Sequence, residues 1–398
     1  MSMRRIAQIV LAGAAASAVV LGVVPAAQAA TTRPGFIASF VSPYFFDGRA
    51  STQQQLATQL DAQEQVGAGD VIVEWAVHAD ARNAAYPSSP ALGLGRFNDA
   101  VPALVQAVQA RGDQLWMGLV VAPDAWADPS RFTSEQFLAE QLALTNAVAD
   151  DLWAQYGGAV KGWYIPVEPS WDMISTPERA ARLGEWYDAI ADHLHALSGK
   201  PVMVSPSMPY AWNVGMAPTD YVAAMAPMIA GSDVDVWNLQ DGFEMTGWSP
   251  ETEANAFRAA RALTDAAGAE LWAAIYTPAY NGAGVRVPVS KLTPYLEALG
   301  ALGVPLTQWE FAQYLSPDLG RPNGAEMTEN LAQYRAYLGA AAPRPVQVSD
   351  PLPVSPAETA VPASAPSAPA AEPAVAGSTV TTGPSVTPAP QAAAPAPA

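Results

Sequence analysis

Eight short apolar segments alternate strictly with amphipathic helical patterns over about 310 residues, and no glycine-rich phosphate turn follows the first strand. Together these predict an α/β chain folded as a closed (β/α)8 TIM barrel in a single domain. A doubly wound open sheet uses fewer strands and marks its first turn with glycines. Gly93 and Gly95 come only after the second strand, where they read as turn residues.

The expected strands read, in order, GFIASFVSP from Gly35, DVIVEWAV from Asp70, LWMGLVVAP from Leu115, VKGWYIPVEP from Val160, KPVMVSPSM from Lys200, VDVWNLQDGF from Val234, AELWAAIYTPAY from Ala269 and VPLTQWEFAQY from Val304. Between them lie helical patterns such as TSEQFLAEQLALTNAVADDLWAQYG, TPERAARLGEWYDAIADHLHALSG and PETEANAFRAARALTDAAG. Ser51, Thr133 and Thr176 are expected helix caps beside early acids. Gly112, Gly157, Gly199 and Gly268 are expected helix stops.

The two ends differ from this pattern. Residues 1–29 carry Arg4 and Arg5, an apolar run and an Ala27-Gln28-Ala29 cleavage pattern, which predict a secretory signal peptide and not a membrane span. The barrel domain is expected over residues 33–341. Residues 342–398 are rich in Pro, Ala, Ser and Thr with few charges, a composition that predicts a disordered tail because it buries too little apolar surface to offset ordering entropy. Export places the protein outside the cell or in its envelope. With no cysteine, its stability must come from a core.

The formal charge is −18 and becomes −20 when the two signal arginines are removed, which disfavours nucleic acid and anionic lipid as partners. Three histidines, two of them the near neighbours His193 and His195, supply no metal-ligand pattern, so no metal and no cofactor is expected. No GxSxG elbow is present for a serine hydrolase. A monomer is expected.

In a barrel the site forms at the carboxyl ends of the strands, and those ends are rich in carboxylates and aromatic rings. Rings stack on the C–H faces of sugars, and paired carboxylates are the working groups of glycoside hydrolysis. Glu168, in GWYIPVEPSW, stands at the end of an apolar fourth strand, where burial raises its proton affinity toward that of a general acid. Its alternative role is an ion pair with Arg179 or Arg182. Asp241 and Glu310 are the further catalytic candidates, although Asp241 also reads as a turn residue before Gly242 and Glu310 as part of a buried polar layer. Glu74 leans further toward a structural role. Trp126 and Trp171, in loops, are expected to contact substrate. The strand tryptophans Trp163, Trp237, Trp272 and Trp309 also read as core. Trp75, Tyr164 and Ser205 complete the expected binding surface.

GWYIPxE on the fourth strand, SP on the fifth and QDG on the sixth, with GL on the third, resemble a family of exported bacterial proteins of unknown function grouped with TIM-barrel glycoside hydrolases. The resemblance runs from about Gly35 to the eighth helix. It implies a glycosidase-like barrel with Glu168 as acid/base and with Gln240 and Asp241 in the site. The chain departs from the pattern at Glu74, where glutamine is expected, and at Glu244, where glycine is expected. Its seventh strand ends in IYTPAY without a carboxylate, which removes the assignment of acid and nucleophile to strands four and seven. Asn238, Gln240 and Glu244 are expected to bind sugar hydroxyls, and Tyr276 to stabilise charge.

These observations predict an exported glycoside hydrolase that uses two carboxylates on an extracellular or cell-envelope polysaccharide or oligosaccharide. The alternative is a non-catalytic carbohydrate-binding envelope protein on the same scaffold.

Overall fold

The computed structural model describes residues 33–43, 53–122, 128–208, 215–243, 246–277, 288–319 and 324–339. The expected signal peptide and tail, the cap Ser51, and the site candidates Trp126 and Glu244 lie outside the described residues.

All eight expected strands form. They are β1 (Phe36–Val41), β2 (Asp70–Val73), β3 (Leu115–Gly118), β4 (Val160–Ile165), β5 (Val202–Val204), β6 (Val236–Gln240), β7 (Glu270–Tyr276) and β8 (Leu306–Trp309). They run parallel in chain order around a closed barrel. The seam joins β1 to β8, with Phe36 opposite Leu306 and Ser39 opposite Gln308. Most strands are shorter than the apolar runs that predict them, because each run continues into the loop that builds the barrel mouth.

Side chains alternate across each strand, so each strand feeds two cores. The inward set is Ala38, Phe40, Ile72, Trp116, Tyr164, Met203, Val236, Trp272 and Ala274, with Trp309 packed on top. Trp116 and Trp272 meet edge to face at 5.6 Å, and Phe40 meets Tyr164 at 5.3 Å. Gly162 makes room for this filling, since a Cβ there would overlap the Trp116 ring. The outward set, including Val71, Val73, Trp163, Trp237, Leu239 and Ile275, packs under the helices.

Apart from short helices of four or five residues, the helices among the described residues are α1 (Gln53–Gln65), α2 (Ala100–Ala110), α3 (Glu135–Tyr156), α4 (Pro177–Ser198), α5 (Pro218–Ala224), α6 (Pro250–Ala267), α7 (Val289–Gly300) and α8 (Gly324–Leu338). α4 starts as its sequence predicts: the Thr176 side chain accepts from Arg179 N–H, and Pro177 takes a first-turn position that needs no donor. It stops at Gly199, which adopts φ 65°. α6 repeats the arrangement with Ser249 and Gly268. Two expected boundaries shift. α3 is capped by Ser134, because Thr133 ends a preceding 3-10 turn, and Gly157 stays right-handed at φ −51° and opens another such turn.

Beside the barrel, Val77–His78, Asn83–Ala84, Gly95–Arg96 and Val120–Val121 form a small second sheet above β2 and β3.

Candidate active site

Glu168 follows β4 after Pro166 and Val167, and helices brace the backbone on both sides of it. Tyr187 on α4 donates its hydroxyl to the Val167 carbonyl at 2.7 Å, and Tyr221 on α5 donates to the Pro169 carbonyl at 2.6 Å. Each bond fixes a carbonyl that the strand ladder no longer satisfies. The carboxylate itself accepts from Gln240 Nε2 at 2.7 Å, and the same amide nitrogen donates to the Ser205 carbonyl at 2.9 Å. Gln240 is thereby held across β5 and aimed at Glu168.

Burial pushes the Glu168 carboxyl up to about 7; the Gln240 donor opposes the rise and the neighbouring Glu74 charge adds to it. Among the described residues no cation forms a salt bridge with it. Arg179 instead donates to the Asp172 carbonyl and the Ser175 hydroxyl, and Arg182 pairs with Glu135. The alternative in which Glu168 serves an ion pair is therefore not what the structure contains.

Glu74 is the second carboxylate of the mouth. Its backbone N–H bonds the Val41 carbonyl at 3.0 Å, which continues the β1–β2 ladder one step past β2. Trp309 Nε1 donates to Glu74 Oε1 at 3.1 Å, and Ser42 contributes a second side-chain bond. Burial raises the Glu74 pKa while these two donors hold it back. Trp309 stacks on Tyr276 with centroids 5.0 Å apart and planes 11° from parallel, so β7 and β8 present one double ring beside the acid. The Tyr164 hydroxyl lies within electrostatic reach of both carboxylates, and its ionisation is strongly suppressed by burial and by the two acids.

Adjacent residues on one strand point to opposite faces. That rule sorts two neighbouring pairs of candidates, Glu74/Trp75 and Gln240/Asp241, and burial divides a third, Trp309/Glu310. Glu74 faces the mouth, whereas Trp75 is 1% exposed and packs outside the barrel against Phe97 and His78. Trp75 is thus a core residue and not part of a binding surface. Gln240 faces the mouth, whereas Asp241 is fully buried behind β6, its Oδ1 accepting from Phe243 N–H at 3.1 Å and Tyr276 N–H at 3.0 Å. The charge beside Asp241 is Glu253 on α6, which is also fully buried. The structure therefore does not bring Asp241 to Glu168. Trp309 faces the mouth, whereas Glu310 is fully buried and accepts from Ser42 N–H at 2.7 Å. Glu310 supports the end of β1 from behind.

The remaining candidates divide in the same way. Tyr164 and Tyr276 line the mouth. Ser205 turns its hydroxyl to the Asn238 carbonyl at 2.6 Å. Asn238 is sealed in the barrel filling, where it accepts from Thr307 Oγ1 at 3.0 Å and lies against Met203 sulfur, so it is a core residue out of reach of a sugar. Trp171 opens the short helix Trp171–Ile174 and packs half-buried on the outer core. Trp163, Trp237 and Trp272 are core, as strand aromatics usually are. Trp309 is the exception, and its place at the upper end of an inward-facing series is the signal for it. Among the described residues no group of three or more His, Cys, Asp or Glu side chains is placed to hold a metal ion.

Fold and site together define a (β/α)8 barrel protein with two carboxylates at the carboxyl ends of β2 and β4. The chain belongs to the family described as a domain of unknown function, DUF4434, whose model matches residues 38–319. Its fold resembles the crystal structure of a putative alpha-L-fucosidase from Bacteroides thetaiotaomicron, with a TM-score of 0.63 and 17% identity over 78% of this chain and 97% of that one. The glycoside hydrolase domain of PgaB (BpsB) from Bordetella bronchiseptica aligns at a TM-score of 0.47 and 11% identity, covering 76% of this chain and 98% of that domain. A beta-galactosidase from the psychrophilic Marinomonas ef1 aligns at 0.48 and 11%, covering 77% and 61%. No curated protein matches the chain.

Proposed function

We propose that the protein is an exported glycoside hydrolase acting on an extracellular or cell-envelope polysaccharide, with Glu168 as the proton donor. The observation that carries this reading is the state of Glu168: a carboxyl at the barrel mouth, held among the described residues by the Gln240 amide and by no cation, with its pKa pushed up to about 7. A general acid must be protonated at working pH yet able to release its proton as the leaving oxygen gains charge. The Trp309–Tyr276 stack, beside Glu74 at the same mouth, offers an apolar face suited to the C–H face of a sugar ring. The formal charge of −18 favours a neutral or cationic glycan over a polyanionic one. Export rests on the signal-like residues 1–29.

The test is turnover on a panel of aryl glycosides and soluble polysaccharides by wild type and Glu168→Gln. The variant should lose on the order of 10²- to 10⁴-fold in kcat while still binding the same glycan. A wild type that binds glycans and cleaves none would instead make the protein a carbohydrate-binding barrel. Localisation is checked by fractionating cells that express the full chain.

A further inference from the structure

Two-carboxylate glycoside hydrolysis uses a partner for the proton donor, and among the described residues the expected partners Asp241 and Glu310 are both buried away from Glu168. Two strands from β4, Glu74 occupies the end of β2 on the inward side, one pleat above Ile72 of the barrel filling. It is fixed from two further strands, by the Trp309 indole at the end of β8 and by Ser42 just past β1. Its Oε2 is buried and accepts no hydrogen bond among the described residues. Two donors on Glu74 oppose the rise that burial causes, whereas among the described residues Glu168 accepts from the Gln240 amide. The two carboxyls lie close enough for each to bear on the Tyr164 hydroxyl.

We propose that Glu74 is the second carboxylate of the site, the anion that faces the sugar while Glu168 carries the proton. This rests on the hydrolase reading above. In the reaction, the Glu168 proton moves to the glycosidic oxygen as the bond from that oxygen to the anomeric carbon breaks. Positive charge then grows on the sugar opposite the Glu74 carboxylate. Water adds its oxygen to the anomeric carbon, and the proton it sheds returns to the carboxyl pair, which ends as it began with one proton.

Among the described residues, the groups that face Glu168 are Glu74 from β2, Tyr164 from β4, Gln240 from β6 and Tyr187 from α4. Of these, Glu74 is the carboxylate whose charge raises the Glu168 proton affinity, so removing that charge should make Glu168 release its proton at lower pH. The experiment compares full-length wild type, Glu74→Gln, Glu74→Asp and Glu168→Gln on the glycoside panel, with folding checked by circular dichroism. In parallel, the carboxyls of isotope-labelled glutamates are titrated by NMR. Glu74→Gln should lower kcat/KM by roughly 10²-fold or more and move the alkaline limb of its pH profile to lower pH. Glu74→Asp should keep the limb and lose roughly tenfold or more in rate, and it decides the matter if the glutamine variant does not fold. The NMR titration should show two coupled steps in wild type and a single earlier step for Glu168 in Glu74→Gln.

An inactive Glu168→Gln beside a Glu74→Gln protein with wild-type rate and limb would overturn the role of Glu74 and leave the hydrolase reading intact. A wild type that cleaves nothing but titrates as a coupled pair would keep the pair and overturn hydrolysis. No turnover and no coupling would remove both.

Discussion

Gln240 Nε2 donates to Glu168 Oε1 at 2.7 Å and to the Ser205 carbonyl at 2.9 Å, so one amide group ties the acid of β4 to β5 and β6 at once. The bond does two things: it orients the carboxyl, and it limits how far burial raises its proton affinity.

Replacing Gln240 by Leu should therefore raise the Glu168 pKa further. A general acid is active while protonated, so the alkaline limb of the kcat/KM profile should move to higher pH, opposite to the shift expected for Glu74→Gln. The loss of orientation should lower the plateau rate by roughly tenfold. Profiles of the two variants measured side by side check the opposite signs.

The buried acids behind β6 predict a stability effect separate from activity. Burial pushes Asp241 from its ordinary 3.8 to about 7, and Glu253 well above its usual range. With a folded pKa above the unfolded one, the native state binds more protons in that window. The associated stability is complete below about pH 4 and is lost as pH rises to about 7, on the order of 4 kcal/mol for Asp241. Asp241→Asn keeps an acceptor for the Phe243 and Tyr276 N–H groups and removes the titration. Its thermal midpoint should fall less than that of wild type between about pH 5 and pH 8.

Gly118 should tolerate no side chain. A Cβ there would overlap the Val73 and Glu74 carbonyls, which belong to the strand end that carries the second carboxylate. Gly118→Ala should cost about 1–3 kcal/mol and, by shifting Glu74, lower turnover in whatever fraction remains folded. Denaturant titration and kcat measured below the unfolding transition separate the two effects.

Tyr334 on α8 accepts the Phe36 N–H at 2.8 Å and so holds the first strand at its entry into the barrel. Tyr334→Phe leaves that buried donor unpaired, and stability should drop by about 1–3 kcal/mol. The pH profile of turnover should not move, because the contact lies at the opposite end of β1 from Ser42.

Some of the site was legible in the chain. GWYIPVEPSW places one acid at the end of an apolar strand, and the structure puts it in the mouth beside Gln240. The pairs Glu74/Trp75 and Gln240/Asp241 were legible in part: neighbours on a strand cannot both face the lumen, so one of each pair had to leave the site. Which one left depended on how far the pleat continues past the last ladder bond. At Glu74 it continues, through the bond to Val41.

The alternation of strand and helix, and with it the barrel, follows from local period and turn chemistry, each of which acts over a few residues and is written in the chain. The choice of Glu74 over Asp241 beside Glu168 is not local. It arises only when β8 closes onto β1, which brings the Trp309 indole to Glu74 from 235 residues away. The direction of a side chain at a strand end is fixed by the neighbours that closure supplies, and no short stretch of sequence contains them.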